Sequence, residues 1–303
     1  MPRYPAKLLV LGEHTVVHGG QAYAVPLERF GAEVRLLDAA PGTQPTAGPQ
    51  LDFVAWAAFA NTHRDARRRL DVPRWQREAP RLQVRSDIPA GYGLGSSGAL
   101  TAAIAQRYSR EALQHGDVQQ FKPLAQALED YFHGSSSGLD PLVSLTGRGI
   151  VVDGHGTFKV STSVTALPNF GNPAGAWFLL DSGQPRTGKA AIARFGESLR
   201  DAQWTRRAFL PMTKLVGTLI AHHERGLACS LEAFRELSRL QQVELAFLIP
   251  DHVALAWEVL AKADLGYLKL CGAGGGGYFL GYAPSRPALE LGQPAIAEGL
   301  VWL

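Results

Sequence analysis

The stretch Ile88-Pro89-Ala90-Gly91-Tyr92-Gly93-Leu94-Gly95-Ser96-Ser97-Gly98-Ala99 constrains this chain more than any other part of it. Glycines at alternate positions keep side chains clear and admit backbone conformations closed to other residues. Ser96 and Ser97 then open a small-residue helical run, Ala99-Leu100-Thr101-Ala102-Ala103-Ile104-Ala105. A glycine loop feeding a helix N-terminus aims several N–H donors, and the positive end of the helix dipole, at one point. That is how a backbone binds phosphate. The serine hydroxyls add hard oxygen ligands of the kind magnesium takes between phosphates. A surface turn before an ordinary helix is the simpler alternative.

Gly93, Gly95 and Gly98 also match the G-x-G-x-x-G pattern of dinucleotide sites, but so do Gly272, Gly274 and Gly277. The preceding segment Arg81-Leu82-Gln83-Val84-Arg85-Ser86 alternates polar and apolar residues, whereas buried parallel strands read as continuous apolar runs. No Lys-Ser or Lys-Thr pair follows the glycines, which excludes a Walker A loop. A lysine for the phosphates must come from elsewhere in the chain.

At 303 residues the chain exceeds the usual single domain, so two domains sharing a cleft are expected. A net charge of +3 sets no expectation of nucleic acid. The densest basic run, Arg64 to Arg69, has no aromatic interleaving and reads as a solvated helix face. Cys229 and Cys271 make neither a disulfide framework nor a metal spacing, which points to a reducing cytoplasm. The N-terminal Lys7–Leu11 run is too short for a signal peptide. Phe53 to Ala60, the longest apolar run, falls far short of the roughly 20 residues of a membrane span. The expectation is a soluble protein with no membrane or nucleic-acid partner.

Apolar periodicity predicts strands at Lys7–Leu11, Ala22–Pro26, Ala32–Leu37, Leu82–Asp87 and Gly149–Asp153. Helices are expected over Phe53–Leu70, from the glycine loop to about Leu113, and over Pro123–Phe132; a Pro/Gly/Thr-rich connection spans Ala39–Gln50. Composition shifts near Leu167–Pro173, a domain boundary. Beyond it come strand Trp177–Leu180, amphipathic segments at 187–200, 203–226, 230–248 and 251–263, then strands Leu265–Leu270 and Tyr278–Tyr282.

Lys7 lies on an apolar strand followed by Gly12-Glu13-His14 and Gly19-Gly20. Alone it reads as an edge lysine; on a strand-to-turn unit its ammonium can hold phosphate oxygens or steady an anionic base. Glu13 and His14 can bind hydroxyl or carboxylate groups, and His18 reads as structural. Glu129 is either a solvated helix glutamate or a metal ligand. Asp140 is either a helix cap or the acceptor of a hydroxyl proton. With a phosphate loop they complete a phosphoryl-transfer set. The run Cys271-Gly272-Ala273-Gly274-Gly275-Gly276-Gly277 is a flexible hairpin tip, or a close backbone approach to a ligand or to the first glycine loop.

Taken together, Pro5–Gly20, Ile88–Ala99 and Lys269–Gly277 resemble, in order, the three motifs of the GHMP kinases, and they span nearly the whole chain. Within that family, Ala6–Gly19 and Glu129-Asp130-Tyr131-Phe132-His133-Gly134-Ser135-Ser136-Ser137-Gly138-Leu139-Asp140 are most similar to the mevalonate-kinase branch. The resemblance implies an α+β fold of two domains. Residues 1–170 would form a ribosomal-protein-S5-domain-2-like unit and residues 171–303 a ferredoxin-like unit, with ATP in the cleft. It implies Lys7 and Asp140 as catalytic residues, with Asp140 the base. Lys7, Ser86, Gly91, Tyr92, Gly93, Leu94, Gly95, Ser96 and Ser97 would be nucleotide contacts. Ser97 and Glu129 would hold magnesium. Glu13, His14, Asp140, Gly274 and Gly275 would lie at the substrate.

The implied reaction is phosphorylation of the primary hydroxyl of mevalonate by ATP and magnesium in the cytoplasm, with room for a homodimer. A sugar, homoserine or phosphomevalonate is the alternative acceptor, and a non-catalytic metabolite sensor a further one. Three features depart from the family pattern. Ala6 stands where glycine is usual and Gly98 where alanine is usual, both small-for-small exchanges. The arginine often found after the catalytic aspartate has no counterpart at Val151 or Val152; Arg148 sits earlier, in a Gly-Arg-Gly turn, and Arg186, in Gln184-Pro185-Arg186-Thr187, is another cation farther along.

Overall fold

The structure, a computed structural model, describes residues 2–37, 51–111, 118–186 and 188–303. The predicted Ala39–Gln50 connection, Thr187 and the expected helix end near Leu113 lie outside them. In chain order the first half runs β1 (Tyr4–Leu11), β2 (Ala22–Leu36), α1 (Phe53–Ala60), α2 (Arg64–Arg69), α3 (Val72–Glu78) and β3 (Leu82–Ser86). There follow α4 (Ser96–Tyr108), α5 (Val118–His133), α6 (Leu139–Thr146), β4 (Ile150–Val152) and β5 (Phe158–Val160). The second half holds β6 (Ala176–Asp181), α7 (Gly188–Ser198), α8 (Ala202–Trp204), α9 (Leu210–Glu224), α10 (Leu231–Glu244) and α11 (Asp251–Lys262). It ends with β7 (Tyr267–Leu270), β8 (Tyr278–Ala283), α12 (Arg286–Gly292), α13 (Pro294–Ala297) and β9 (Leu300–Trp302).

This is an α+β fold built on two antiparallel sheets. The first orders β1-β2-β4-β5, with β3 also paired to β2; the second orders β7-β8-β6-β9. Every strand pairing among the described residues is antiparallel, and Arg81–Ser86 is not the continuous apolar run of a doubly covered parallel strand. One buried apolar core runs continuously through both sheets and the helices on them.

Where two strands were expected, at Ala22–Pro26 and Ala32–Leu37, β2 is a single strand. Its partners change along its length: β1 pairs with it from Tyr23 to Ala32, β4 with Ala22–Ala24 and β3 with Ala32–Leu36. Pro5 faces Gly31 while Ala6 faces Leu27, so Glu28, Arg29 and Phe30 form the bulge that looked like a break. Gly31 is required there, because a Cβ would stand 2.8 Å from the Tyr4 carbonyl oxygen. The expected Phe53–Leu70 helix is divided between α1 and α2, with Asp52 and Asp71 capping α1 and α3. Helix α5 is already formed at Val118, the first described residue there, so Pro123 sits inside it rather than at its start. Proline is favoured in the first turn of a helix, which is why it reads as a start in sequence.

A polar knot fastens α3 to α4. Glu78 accepts from Arg107 at 2.7 Å, from Arg74 at 3.0 Å and from the Tyr108 hydroxyl at 2.9 Å. Desolvation raises the Glu78 pKa, but bonds from Arg107, Arg74 and Tyr108 outweigh it and hold the carboxyl down at about 2. A depressed folded pKa adds stability above the unfolded value of about 4.3, and this is lost as pH falls toward 2. Glu78→Gln is expected to cost about 1–3 kcal/mol near neutral pH. Melting curves should show that deficit shrinking as pH drops through the 4-to-2 window.

Candidate active site

Strand β1 carries Lys7 to the base of the first glycine loop. Its backbone N–H donates to the Leu94 carbonyl at 2.8 Å, stitching strand to loop. The Lys7 Nζ lies 2.9 Å from Asp140 Oδ1, and the lysine side chain is only 7% exposed. Lys7 is therefore not a lysine with its charge in water. Asp140 sits in the first turn of α6 behind Gly138, which takes the capping position in a left-handed conformation. The carboxylate points to Lys7 and does not cap the helix.

Gly91, Gly93 and Gly95 have φ of +77°, +77° and +70°, a series of left-handed steps only glycine takes without strain. Gly95 precedes α4, and no side chain caps that helix, so its N-terminal N–H groups are left for a ligand. A Cβ at Gly95 would lie 3.1 Å from Asp140 Oδ2 and 3.2 Å from the Lys7 Cβ. Loop, ammonium and carboxylate thus converge on one spot.

Gly98 proves more than a small-for-small exchange. A Cβ there would stand 2.7 Å from the Asp140 backbone carbon and 2.8 Å from the Pro141 nitrogen. Here α4 packs against α6 backbone to backbone, with no space for the family's usual alanine. Gly98→Ala is expected to cost about 1–3 kcal/mol, because backbone cannot swing aside as a side chain can. Chemical denaturation checks this; an unchanged midpoint would refute the close packing.

Ser97 Oγ donates to Glu129 Oε1 at 3.2 Å and lies 2.9 Å from His133 Nε2, while Ser136 Oγ donates to the other Glu129 oxygen. Glu129 is 3% exposed. Burial, followed by the negative charge of Asp140, raises its pKa above the usual carboxylate range against the hydroxyl bonds and Lys7. A buried carboxylate beside a serine hydroxyl is a pair of hard oxygen donors short of positive charge, and it fits magnesium. Among the described residues no three or more His, Cys, Asp or Glu cluster as a metal cage. Such an ion would complete its shell with substrate phosphates and water, as magnesium commonly does.

Past β1 the chain turns through Gly12, Glu13 and His14. His14 holds φ at +60°, an uncommon value for a residue with a Cβ. Its ring stacks on Phe195 at 4.6 Å, and Nε2 lies 3.0 Å from the Ala273 carbonyl. Burial lowers the His14 pKa to about 4, so the neutral ring donates Nε2–H to that carbonyl. His18 stacks on the same phenylalanine, in a structural place. Glu13 is buried against Lys269 at 2.8 Å.

Of the readings open for the second glycine run, the structure selects close backbone approach, and the first glycine loop is one of its neighbours. A Cβ at Gly277 would meet the Tyr92 carbonyl oxygen at 2.7 Å, and one at Gly274 would meet the Leu248 Cβ at 2.8 Å. Gly275 N–H donates to Leu248 and its carbonyl accepts from Gln184, so both are already partnered. Tyr92 packs edge-on against Tyr278 at 5.2 Å. Ser86 Oγ accepts from Ile88 N–H, shaping the entry to the first loop. Arg186 N–H donates to the Gly91 carbonyl. Its guanidinium lies 3.2 Å from where a Gly93 Cβ would stand and 3.7 Å from that of Gly272, so it occupies the gap between the loops. Arg148 instead bonds the Ser161 carbonyl.

Read from sequence, Gln241 and the bond of His133 to Ser97 carry no role, and Lys269 none beyond its place at the head of the third motif. The spacing Glu129-x-x-x-His133 was a usable signal, since residues four apart share a helix face. Nothing else local marks Lys269, which looks like one polar residue in an apolar strand.

Comparison with known proteins bears on this arrangement. The family model described as "GHMP kinases N terminal domain" matches residues 55–148. The mevalonate kinase of Thermococcus sibiricus is 26% identical over 98% of this chain and 92% of its own length. Among solved structures, L. major mevalonate kinase in complex with R-mevalonate superposes with a TM-score of 0.66 at 17% identity, covering 99% of this chain and 93% of that one. Streptococcus pneumoniae phosphomevalonate kinase superposes at 0.67 with 14% identity, covering 100% and 97%. The motif match falls on the half of the chain that bears the phosphate loop, and the architecture extends the likeness through both sheets. Residues 55–148 match the GHMP kinase N-terminal domain, and the likeness to mevalonate kinases runs along nearly the whole chain.

Proposed function

We propose that this protein transfers the terminal phosphoryl group of ATP to the primary hydroxyl of mevalonate, using magnesium. The observation that carries the reading is the Lys7–Asp140 pair, 2.9 Å apart at the mouth of the glycine loop. In this reading Asp140 accepts the proton of the attacking hydroxyl. Lys7 orients that carboxylate and presents positive charge to the phosphoryl group in flight. N–H groups of the Gly91–Ser97 loop and the start of α4 hold the phosphates. Ser97 and Glu129 would hold magnesium, which when bound neutralises phosphate charge. Arg186, between the two glycine loops, is a cation suited to an anionic group on the acceptor or nucleotide. The division at residues 170 and 171 would put the loop and base in one domain and the second glycine run in the other. All strands up to Val160 belong to one sheet and all from Ala176 to the other, which supports that division.

ADP release by the purified protein with ATP, magnesium and mevalonate tests the reading. Turnover with mevalonate and not with phosphomevalonate, homoserine or galactose supports it. Turnover only with one of the others keeps the kinase and replaces the acceptor. No turnover with any of them defeats the kinase reading.

A further inference from the structure

Glu13 matches a family position beside the acceptor, yet its carboxylate is already engaged. Oε2 lies 2.8 Å from Lys269 Nζ, with side chains 1% and 0% exposed. The other oxygen accepts from Gln241 Nε2. Gln241 Oε1 in turn accepts from Leu270 N–H at 2.8 Å, and Lys269 Nζ also donates to the Leu270 carbonyl. This closed network joins the turn after β1, helix α10 and strand β7. The next residue, His14, donates to Ala273 four residues beyond Lys269. Two neighbouring residues of one turn therefore grip both ends of the segment that leads into the second glycine run.

We propose that Glu13 is a positioning residue. Through Lys269 and Gln241 it sets the second glycine run against the first glycine loop, and it does not itself contact the acceptor. A buried, fully bonded ion pair contributes little net stability, but it tolerates only one arrangement of the parts it joins. Its place here supplies a use for that property: the run it anchors passes so close to Tyr92 that a Cβ at Gly277 would stand 2.7 Å from the tyrosine carbonyl. A shift of the segment would move the loop that holds the phosphates.

A double-mutant cycle tests this, with activity readouts that rest on the kinase reading. Glu13→Gln and Lys269→Met are each expected to lower kcat/KM for ATP and acceptor alike by about 100-fold, the scale of a misplacement near 1 Å. The double variant leaves no unpaired charge and should recover to within about tenfold of the native chain. A rise in acceptor KM alone in Glu13→Gln, undiminished in the double variant, would instead mark a direct substrate contact and overturn the proposal. Should the single variants not fold, Gln241→Leu decides. Losses on both substrates support positioning, and unchanged kinetics overturn it. If the native chain forms no ADP, the kinase reading fails separately. The same cycle is then read as affinity for a fluorescent ATP analogue, where single losses restored in the double variant support the proposal and their absence overturns it.

Discussion

Asp140→Asn is expected to lower kcat by about 10²–10⁴-fold, the contribution of a positioned general base, with nucleotide affinity close to native. The carboxamide keeps the shape of the side chain, so the backbone packing of Gly98 on Asp140 and Pro141 is undisturbed. What disappears is the proton acceptor and the charge 2.9 Å from Lys7. Pre-steady-state ADP formation and binding of a fluorescent nucleotide separate the two effects. Retained turnover would remove Asp140 from the chemistry, and a signalling readout unaffected by the change would favour a metabolite sensor.

Lys7→Met should be nearly as damaging, lowering kcat by about 10²–10³-fold, the usual cost of deleting one preorganised group that stabilises transition-state charge. The thioether fills much of the same space, so packing against Gly95 survives. Asp140 loses the cation that orients it, and the phosphoryl group loses a counter-charge. Lys7→Arg is not expected to rescue activity, because a planar guanidinium cannot occupy a slot shaped for a point charge. Steady-state kinetics on both variants, beside a melting curve, check this. A methionine variant with native kcat would reduce Lys7 to a structural residue.

The alternation at Arg81–Ser86 reads as a strand with one wet face, and that segment does form an antiparallel strand; the glycine periodicity at 91, 93 and 95 matches three left-handed steps in the folded chain. Those signals are local: a strand with one wet face, and φ values that only a residue without Cβ takes freely. Less was legible wherever partners lie far apart in sequence. The bulge in β2 depends on the register β1 takes along it, with Pro5 opposite Gly31 and Ala6 opposite Leu27. The Gly98 exchange looks harmless until α6 is seen pressed against it. Glu13 reads as a polar group free for a substrate until Lys269, 256 positions away, closes on it.

By itself, then, the order of residues determined which backbone could cradle a phosphate, which family's motifs recur, and which side chains have the chemistry for proton acceptance and metal binding. Only the tertiary structure decided which of those side chains meet: Lys7 with Asp140, Ser97 with Glu129, Glu13 with Lys269. The reason is physical. Backbone conformation and amphipathic period are short-range properties carried by neighbouring residues, whereas the pairing of buried charges is settled by how sheets and helices pack, which no local window contains.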